Sequence, residues 1–491
     1  MQIDYQVGIV GIGFGGLIAA LQLKNSGRNS FIIFERAAEL GGVWRDNIYP
    51  GCACDVKSNL YSIATERNPD WSFAFSTQPE ILQYLKDIAQ KYGIEKHIRY
   101  NTKIVRMRFV EEHGCWEVLD QNRNRVVVTM MIMATGPHDR PYLPAIKGQE
   151  TFKGIKFHSA TWDPCSDFTG KNVAIIGTGA SSVQIAPQIA PIVSRLLVFQ
   201  RTAAWLIPRR DRKIYAFERW LYRYLPFVQY LSRGYIYWLM EIVGISFTGN
   251  PHMNRLLTKI ALWKLRQEVN DPQTREKLTP DYKIGCKRIL ISDDFYPTFN
   301  RPNVELITEH ISEITQDGIR TQDGQYYRVD AIVFATGFIV ADIENYIEIT
   351  GRQGRVLTDE WDRSGAEAYR GINVSGYPNL GFILGPNSGL SHSSALHVME
   401  SQMNYIMQYL KQLEKHGNKT YLDVKPEVQK IYNAILQSKF KNTTWASGCK
   451  SWYLNKNGKN TAIYPGLTKH YRKETRALDL NDYLVSAKVP A

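Results

Sequence analysis

The sequence predicts an α/β fold in which one unit of parallel strands and helix occurs twice. Residues 5–27 and 172–190 each form a short apolar strand, a glycine-rich turn and an amphipathic helix pattern. Two further apolar strands, at 126–136 and 329–337, both end in Ala-Thr-Gly. An aromatic segment, 205–284, has a helical pattern and does not fit a regular doubly wound sheet. Together these features predict two Rossmann-like dinucleotide-binding domains with a helical insertion.

Length and charge narrow the class of protein. A chain of 491 residues exceeds one hydrophobic core, so roughly two to four domains are expected. The 60 Lys and Arg residues outnumber the 47 Asp and Glu residues, which gives a net charge of +13 and favours anionic partners. No block of like charges forms and the aromatic residues are dispersed, so no nucleic-acid partner is expected.

The cysteines and the apolar stretches indicate the compartment. Cysteines are few and scattered, and none has companions at metal-ligand spacing, so no metal site and a reducing cytoplasm are expected. The chain opens on a strand pattern without a secretion signal. No apolar stretch reaches the ~18 residues needed to cross a bilayer. A cytoplasmic location is predicted, with membrane association as the alternative. The cysteines are Cys52, Cys54, Cys115, Cys165, Cys286 and Cys449.

The first glycine turn fits the pattern GxGxxG between a strand and a helix. Gly11 permits the tight turn, Gly13 lets a pyrophosphate approach the backbone, and Gly16 lets the helix pack against the strand. The start of the helix supplies free N–H groups to the diphosphate. Glu35 follows 19 residues after Gly16, at the end of the second strand, where a carboxylate can accept ribose hydroxyls.

The second unit differs from the first at the end of its second strand. There LLVFQRT places Gln200 where FIIFERA places Glu35. A carboxylate would repel the additional phosphate of NADPH, whereas Gln200 is neutral and Arg201 can form a charge-assisted fork to that phosphate. The first unit is therefore predicted to bind FAD and the second NADPH. The alternative for Arg201 is a solvated side chain at a strand end that contacts no phosphate. The motif positions of the second turn are Gly177, Gly179 and Ser182.

The repeated Ala-Thr-Gly turns resemble those near the ends of nucleotide domains in flavoproteins with two dinucleotides. The FAD domain is therefore predicted to be discontinuous, with the NADP domain inserted. We expect the aromatic segment to line a substrate cavity; a membrane-surface helix is the alternative, since basic residues stand among its aromatics. The predicted parts are 1–145 and 335–491 for FAD, the latter with a C-terminal mobile loop, 146–204 and 285–334 for NADP, and 205–284 for the helical insertion.

Two long motifs carry a family resemblance. FKGIKFHSATWD at 152–163 matches FxGxxxHxxxW[PD], and residues 41–55 match [AG]GxWxxxx[FY]PGxxxD. On these motifs the sequence resembles the class B flavoprotein monooxygenases of the Baeyer–Villiger type. The resemblance continues through 285–306, 377–389 and 448–453, so it covers nearly the whole chain. A disulfide reductase is disfavoured because the chain has no CxxxxC pair.

The resemblance implies an enzyme that uses FAD, NADPH and dioxygen. In this family hydride passes to FAD, and a flavin peroxide then attacks a ketone or aldehyde carbonyl and yields an ester or lactone. The implied partners are dioxygen and a small lipophilic carbonyl substrate. One alternative is a flavin monooxygenase that oxygenates sulfides, amines or an alkyl chain. Another is a non-oxygenating NADPH oxidase or electron-transfer flavoprotein.

The resemblance also implies roles for individual residues. Arg288 matches the active-site arginine, whose permanent charge can stabilise an anionic oxygen. Asp55 matches the carboxylate that orients it, with a turn cap as the alternative. Lys287 resembles a contact to the NADP phosphate, and Trp452 resembles a tryptophan that packs over bound NADP. The position of His158 in the linker suggests a hinge or structural role, with direct catalysis as the alternative, and no acid–base function is assigned to it.

The expected cofactor contacts combine the glycine motifs with the resemblance. A helix expected over 391–410, shortly after Asn387, is expected to point its positive end at the flavin. The residues expected to bind FAD are Gly11, Gly13, Phe14, Gly16, Glu35, Arg36, Val43, Trp44, Asp55, Tyr61, Val105 and Asn387. Those expected to bind NADPH are Thr178, Gly179, Ser181, Ser182, Arg201, Thr202, Lys287, Arg288 and Trp452.

Overall fold

The computed structural model describes residues 1–340, 347–417, 419–449 and 451–486; the end of the predicted 335–491 part, 487–491, lies outside them. The strands are β1 (Tyr5–Val10), β2 (Phe31–Phe34), β3 (Ile98–Arg99), β4 (Ile104–Val110), β5 (Cys115–Asp120), β6 (Arg125–Met133), β7 (Ile155–His158), β8 (Asn172–Ile176), β9 (Arg195–Phe199), β10 (Leu206–Ile207), β11 (Leu290–Ile291), β12 (Val304–Ile307), β13 (Ile311–Ile314), β14 (Gly318–Thr321), β15 (Tyr326–Arg328), β16 (Ala331–Phe334), β17 (Glu348–Thr350), β18 (Leu380–Phe382), β19 (Leu422–Val424) and β20 (Tyr483–Val485). The α-helices are α1 (Phe14–Asn25), α2 (Val43–Asp46), α3 (Gln78–Lys91), α4 (Ala180–Ile189), α5 (Ala216–Tyr224), α6 (Pro226–Ile245), α7 (Pro251–Glu268), α8 (Pro272–Lys277), α9 (Phe295–Thr298), α10 (Leu357–Ser364), α11 (Ala395–His416), α12 (Pro426–Lys439) and α13 (Thr468–Glu474).

The larger sheet has eight strands in the order β17-β4-β5-β6-β1-β2-β3, with β18 paired to β6. β1 lies parallel to both β2 and β6 at its centre. Successive residues of these strands face opposite hydrophobic cores: Ile9 and Ile132 face one, while Val10 and Met133 face the other. Burial on both faces explains why the central strands are continuous apolar runs in the sequence.

The second sheet has five parallel strands in the order β12-β9-β8-β16-β7. The strand–turn–helix unit predicted at 172–190 supplies β8 and α4, and β9 follows as its second strand. Ile175 and Val198 face one core and Ala174 and Leu197 the other. The predicted α/β class, with two Rossmann-like units, is confirmed.

Each glycine turn packs against an Ala-Thr-Gly segment. This contact explains why the tripeptide occurs twice in the sequence. Gly11 adopts a φ of +95°, and an added Cβ there would lie 2.7 Å from the Ala134 carbonyl oxygen. Gly177 adopts a φ of +111°, and its Cβ would lie 2.5 Å from the Ala335 oxygen. Only glycine combines this backbone conformation with so close an approach.

The helical insertion is anchored at its ends and along α6. β10 pairs with β11 in parallel and brings the two ends of the insertion together. On α6, Arg233 donates to the carbonyl oxygens of Asn59, Leu60 and Ser62 at 2.9–3.1 Å. Glu241 accepts from the backbone N–H of Thr468 at 3.0 Å. Helix α6 is therefore fixed between the 59–62 loop and the start of α13.

One predicted helix starts later than expected. The helix after Asn387 begins at Ala395, where the Ser394 side chain caps it by accepting from the Leu396 N–H. Residues 391–394, expected as the first turn of this helix, therefore belong to the connection before it. Among the described residues, none of the helices combines the length and the apolar character needed to cross a membrane.

Replacing Gly16 by alanine should destabilise the protein by about 3 kcal/mol, since overpacking against backbone cannot be relieved by a rotamer change. The added Cβ would lie 2.0 Å from the carbonyl oxygen of Gly11. The midpoint of thermal unfolding, at one scan rate, measures the effect. The matched control is Gly234→Ala in α6, where no described atom lies within 4 Å of the added Cβ. Unchanged unfolding of Gly16→Ala would contradict the packing described for the turn.

Candidate functional site

The two predicted catalytic side chains form an ion pair. Arg288 donates from Nε to Oδ2 of Asp55 at 3.0 Å and from Nη2 to the same oxygen at 2.5 Å. Asp55 lies in the loop after α2 and Arg288 directly before β11, 233 residues apart in sequence. About a third of each side chain remains accessible, at 31% and 32%. The nearby Asp55 charge raises the pKa of Arg288, so the guanidinium is a fixed cation in an open cleft.

Three further side chains that received no role from the sequence surround this pair. Desolvation by the surrounding protein and then the charge of Arg288 lower the pKa of His138 to about 4, although the residue is exposed at the surface. Burial raises the pKa of Tyr453, on which Arg288 also acts. Burial likewise raises the pKa of the Cys54 thiol. The Trp452 ring lies edge-to-face with His138 at 6.1 Å between centroids. The position of His138 two residues after Ala-Thr-Gly was the available signal for it.

An aromatic cluster lies on the side of the first glycine turn. The rings of Phe14 and Tyr61 meet edge-to-face at 5.2 Å, and the Trp44 indole N–H donates to the Tyr61 hydroxyl at 3.0 Å. Burial raises the pKa of Tyr61, which keeps its proton, and the charge of Arg288 acts on it as well. Val43 is exposed beside this cluster. The predicted residues Phe14, Val43, Trp44 and Tyr61 are thus brought together within electrostatic reach of Arg288.

The predicted ribose end of the first unit is organised around Glu35. Its buried carboxylate accepts from the Ile12 N–H at 3.1 Å, from the Ala37 N–H at 2.9 Å and from Arg45 at 3.1 Å. The neighbouring Arg36 forms an ion pair with Asp139, with one contact of 3.0 Å. Glu35 therefore lies beside the glycine turn, while the Arg36 side chain is engaged with the segment that follows Ala-Thr-Gly.

Val105 and Asn387 lie at two ends of this region. Val105 occupies an irregularity in the pairing of β4 with β5, three residues after Thr102, whose N–H donates to the Glu35 carbonyl at 2.8 Å. Asn387 is buried, and its amide donates to the carbonyl oxygens of Asn460 and Ile463 at 2.9 and 3.0 Å. The Asn387 side chain therefore joins its loop to the 460–463 turn.

The first unit has a shape that fits FAD. Gly13 and Gly42 approach each other so closely that a Cβ on Gly42 would lie 3.1 Å from the Gly13 Cα. Neither glycine presents a side chain, so the backbone N–H groups of this turn and the start of α1 stay open to a diphosphate. The aromatic cluster begins at this turn with Phe14, and the charge of Arg288 acts on its member Tyr61.

The second unit has the features of an anion site. An added Cβ on Gly179 would meet no described atom within 4 Å, so the start of α4 is open. Arg201 is exposed, and burial together with the charge of Arg201 lowers the pKa of Lys287. Lys287 lies 4.7 Å from the Tyr282 ring centroid, whereas Arg288 binds Asp55. Two neighbouring cations at a helix start fit the phosphates of NADPH.

The remaining residues predicted to bind NADPH differ in how far they are exposed to solvent. Ser181 is partly exposed at the start of α4, whereas Ser182 is fully buried between helix and sheet. The Thr178 hydroxyl donates to the Thr202 carbonyl at 3.0 Å and ties the glycine turn to the end of β9. Gln200 is buried and donates to the Lys277 carbonyl at 2.6 Å, so it faces away from Arg201.

A contact between the two units was missed by the sequence analysis. Tyr49 donates to the Gln184 side chain on α4 at 3.1 Å. Gly51 has a φ of +78°, and a Cβ there would lie 2.7 Å from the Gln184 carbonyl oxygen. The Tyr-Pro-Gly of the second long motif thus packs directly on the helix of the second unit and places Asp55 at the boundary.

Comparisons with known proteins agree with this architecture. A family model described as flavin-binding monooxygenase-like matches residues 4–344. A protein named Baeyer–Villiger monooxygenase from Streptomyces coelicolor is 43% identical over 487 residues, which cover 99% of this chain and 93% of that protein. Another of the same name from Pseudomonas aeruginosa is 42% identical over 480 residues, 97% of this chain and 91% of that protein.

The chain belongs to the flavin-binding monooxygenase-like family. Within it, the predicted relation to the Baeyer–Villiger monooxygenases is confirmed. The crystal structure of OTEMO in complex with FAD and NADP matches this chain with a TM-score of 0.88 at 28% identity, over 99% of this chain and 100% of that one.

In this family member His158 has a structural environment. The residue is buried at the end of β7, and its Nδ1 accepts from the Ala160 N–H at 3.1 Å. Its ring lies edge-to-face with Phe338 at 5.6 Å, and burial lowers its pKa. The neutral ring caps the turn that leads from β7 toward Trp162.

A disulfide corrects the view that the cysteines are merely scattered. Cys286 and Cys449 are bonded across 163 residues, with a Cα–Cα distance of 6.3 Å. The bond joins the segment of Lys287 and Arg288 to the segment that carries Trp452. The spacing of the cysteines along the chain does not predict a disulfide between residues so far apart. Because disulfides are rare in reducing compartments, the cysteines no longer support the expected cytoplasmic location.

Thiol titration tests this disulfide. Denatured, unreduced protein should react at four thiols, because four of the six cysteines are free, and at six after reduction. The Cys449→Ser variant should react at five thiols both before and after reduction, since Cys286 loses its partner. Six reactive thiols in the unreduced natural chain would contradict the bond.

Proposed function

We propose that this protein is an FAD-containing monooxygenase that uses NADPH and dioxygen to insert one oxygen atom next to a ketone or aldehyde carbonyl. The product is an ester or a lactone. The supporting observation is the Arg288–Asp55 pair, which lies beside both dinucleotide units of a chain related to Baeyer–Villiger monooxygenases. The predicted enzyme class and its two cofactors agree with this family membership.

The two units would hold the two cofactors. The first glycine turn, Glu35 and the Phe14, Trp44 and Tyr61 cluster would hold FAD. The start of α4, Arg201 and Lys287 would hold NADPH. When bound, FAD supplies the transfer of hydride from NADPH and the activation of dioxygen. The chain supplies position and charge.

Arg288 stabilises the negative charge that develops on oxygen during the insertion. Its Nε and Nη2 both donate to Asp55, which leaves the Nη1 edge for the reacting oxygen. Since the pKa of Arg288 is raised by Asp55, the group neither loses its charge nor supplies a proton. Asp55 acts as the positioning residue, because two bonds to one oxygen fix the plane of the guanidinium.

Aromatic side chains border Arg288 and remain partly open to solvent, with Trp452 39% exposed. Trp452 and Tyr453 form one wall, with their ring centroids 4.2 Å apart, and His138 packs against Trp452. His138 stays uncharged near neutral pH and therefore adds no second cation beside Arg288. The Cys286–Cys449 bond holds this wall next to the arginine.

The substrate is a small lipophilic carbonyl compound. Its site lies between the aromatic wall and the helical insertion, whose helix α6 contacts the loop just before Tyr61 through Arg233. The aromatic side chains of Tyr61 and Trp452 favour an apolar molecule.

Incubation of the holoenzyme with linear, cyclic and aryl ketones tests this function. NADPH consumption should match ester formation, and product made under ¹⁸O₂ should carry one labelled atom. Faster oxidation of a sulfide than of every ketone would favour the heteroatom-oxygenating alternative. Consumption of NADPH with hydrogen peroxide as the sole product would favour the oxidase alternative.

Arg288→Ala should lower ester formation by about 10²–10³, the usual effect of losing one charge-stabilising donor. Flavin content and flavin reduction by NADPH, measured by absorbance, should remain, since the residues assigned to FAD are unchanged. Arg301→Ala is the control, because Arg301 is an exposed arginine in the same 285–306 segment. An unchanged rate of ester formation in Arg288→Ala would refute the role given to this arginine.

A further inference from the structure

Helix α6 has its apolar side toward solvent. Six large side chains along one face are between 49% and 68% exposed, at the spacing of three and four residues that defines one side of a helix. A helix on the surface of a protein in water normally has the opposite orientation. These residues are Phe227, Tyr230, Leu231, Tyr235, Trp238 and Ile242.

The inner side of α6 is polar and is held in place. Arg233 and Glu241, the charged residues of this helix, are 6% and 3% exposed. Arg233 donates to the 59–62 loop, and Glu241 accepts from the start of α13 and lies 3.3 Å from His392. Rolling the helix to bury its aromatic side would break these bonds and expose two charges, so the outward orientation belongs to the fold.

Helix α5 extends the apolar face. Phe217, Trp220 and Tyr224 follow the same spacing and are each more than half exposed. The joint between the helices is Leu225, which is also exposed. We call the outward sides of α5 and α6 the aromatic face. A contiguous exposed surface of this kind marks a site of interaction.

Positive charge accompanies the aromatic face. The 205–284 segment as a whole has fourteen Lys and Arg residues against seven Asp and Glu residues, although two of its cations, Arg233 and Lys264, are buried. Arg212 pairs with Glu218, and Arg223 with Asp70, yet Arg219 of α5 has no carboxylate within ion-pair distance among the described residues. Arg67 lies 5.8 Å from the Tyr230 ring centroid. Cations therefore stand directly beside the aromatic side chains.

We propose that the aromatic face docks on the surface of a lipid bilayer that contains anionic lipids, with α5 and α6 lying in the plane of the interface. Trp and Tyr side chains prefer the level of the lipid headgroups, where their polar tips remain hydrated. Arg and Lys residues add attraction to anionic headgroups. A second copy of the chain is disfavoured, because a twofold contact would bring the two positive surfaces together.

Docking has a consequence for how a substrate arrives. The bonds of Arg233 place the inner side of α6 against the loop that leads to Tyr61. A lipophilic carbonyl compound dissolved in the bilayer would therefore meet the protein one helix away from the aromatic cluster. This consequence rests on the proposed function, whereas the docking itself does not.

Vesicle sedimentation tests the docking on the full-length holoenzyme. The protein should sediment with vesicles of phosphatidylcholine and phosphatidylglycerol, and less with phosphatidylcholine alone; added salt should weaken the binding, because it screens the exposed charges. The double variant Tyr235→Ser/Trp238→Ser should bind the mixed vesicles about tenfold or more weakly, since two large apolar groups no longer enter the interface.

The matched control is the double variant Ile431→Ser/Ile435→Ser on α12. Its two side chains are 58% and 53% exposed but lie outside the aromatic face. It should bind vesicles as the natural chain does. Equal loss in both double variants, or no sedimentation of the natural chain with either vesicle, would overturn the proposal. So would a dimer in sedimentation velocity that the Tyr235→Ser/Trp238→Ser change abolishes while vesicle binding stays absent.

Activity in solution separates this proposal from the proposed function. With a water-soluble ketone and no vesicles, the Tyr235→Ser/Trp238→Ser variant should consume NADPH and form ester at the natural rate, because the aromatic face points away from the arginine site. A chain that binds vesicles but forms no ester would leave the docking in place and refute the function.

Discussion

The ion pair of Arg288 and Asp55 is the interaction on which the rest of the site depends. A guanidinium in a cleft between two dinucleotide units needs a carboxylate to fix its plane and retain its charge. That carboxylate can be in place only because Tyr49 and Gly51 pack on α4 of the second unit. The pair therefore requires both sheets in their observed relation, and the Cys286–Cys449 bond secures the arginine's own segment to the aromatic wall.

The repeated unit imposes a second constraint, in the backbone. Gly11 and Gly177 adopt positive φ values and approach the carbonyl oxygens of Ala134 and Ala335. Each parallel sheet thereby brings a glycine turn and an Ala-Thr-Gly turn to the same edge. Backbone N–H groups at that edge are left without side chains above them, which suits a diphosphate. Both halves of the protein solve the same binding problem in this way, and they differ mainly in the charges that follow the second strand.

The orientation of the helices in the helical insertion could not be predicted from the local sequence pattern. Its sequence indicated helices and left open whether the aromatic residues faced a cavity or a membrane surface. The orientation of α6 is set by Arg233 and Glu241, whose partners at 59–62 and 468 are more than 170 and more than 220 residues away. Once those charges face inward, the helical period sends Tyr235 and Trp238 outward.

The two glycine turns, with their strands and helices, could be predicted from the amino-acid sequence because their patterns lie within short segments of fixed period. The same holds for Glu35 and Gln200, which distinguish the first unit from the second. Through the family resemblance the sequence also predicted roles for Arg288 and Asp55, and these roles remain predictions. Contacts between residues far apart in sequence became known from the folded structure: Arg36 with Asp139, Cys286 with Cys449, and His138 with Trp452. Such contacts depend on the packing of whole sheets against one another. No local sequence pattern predicts which residues far apart in sequence will form them.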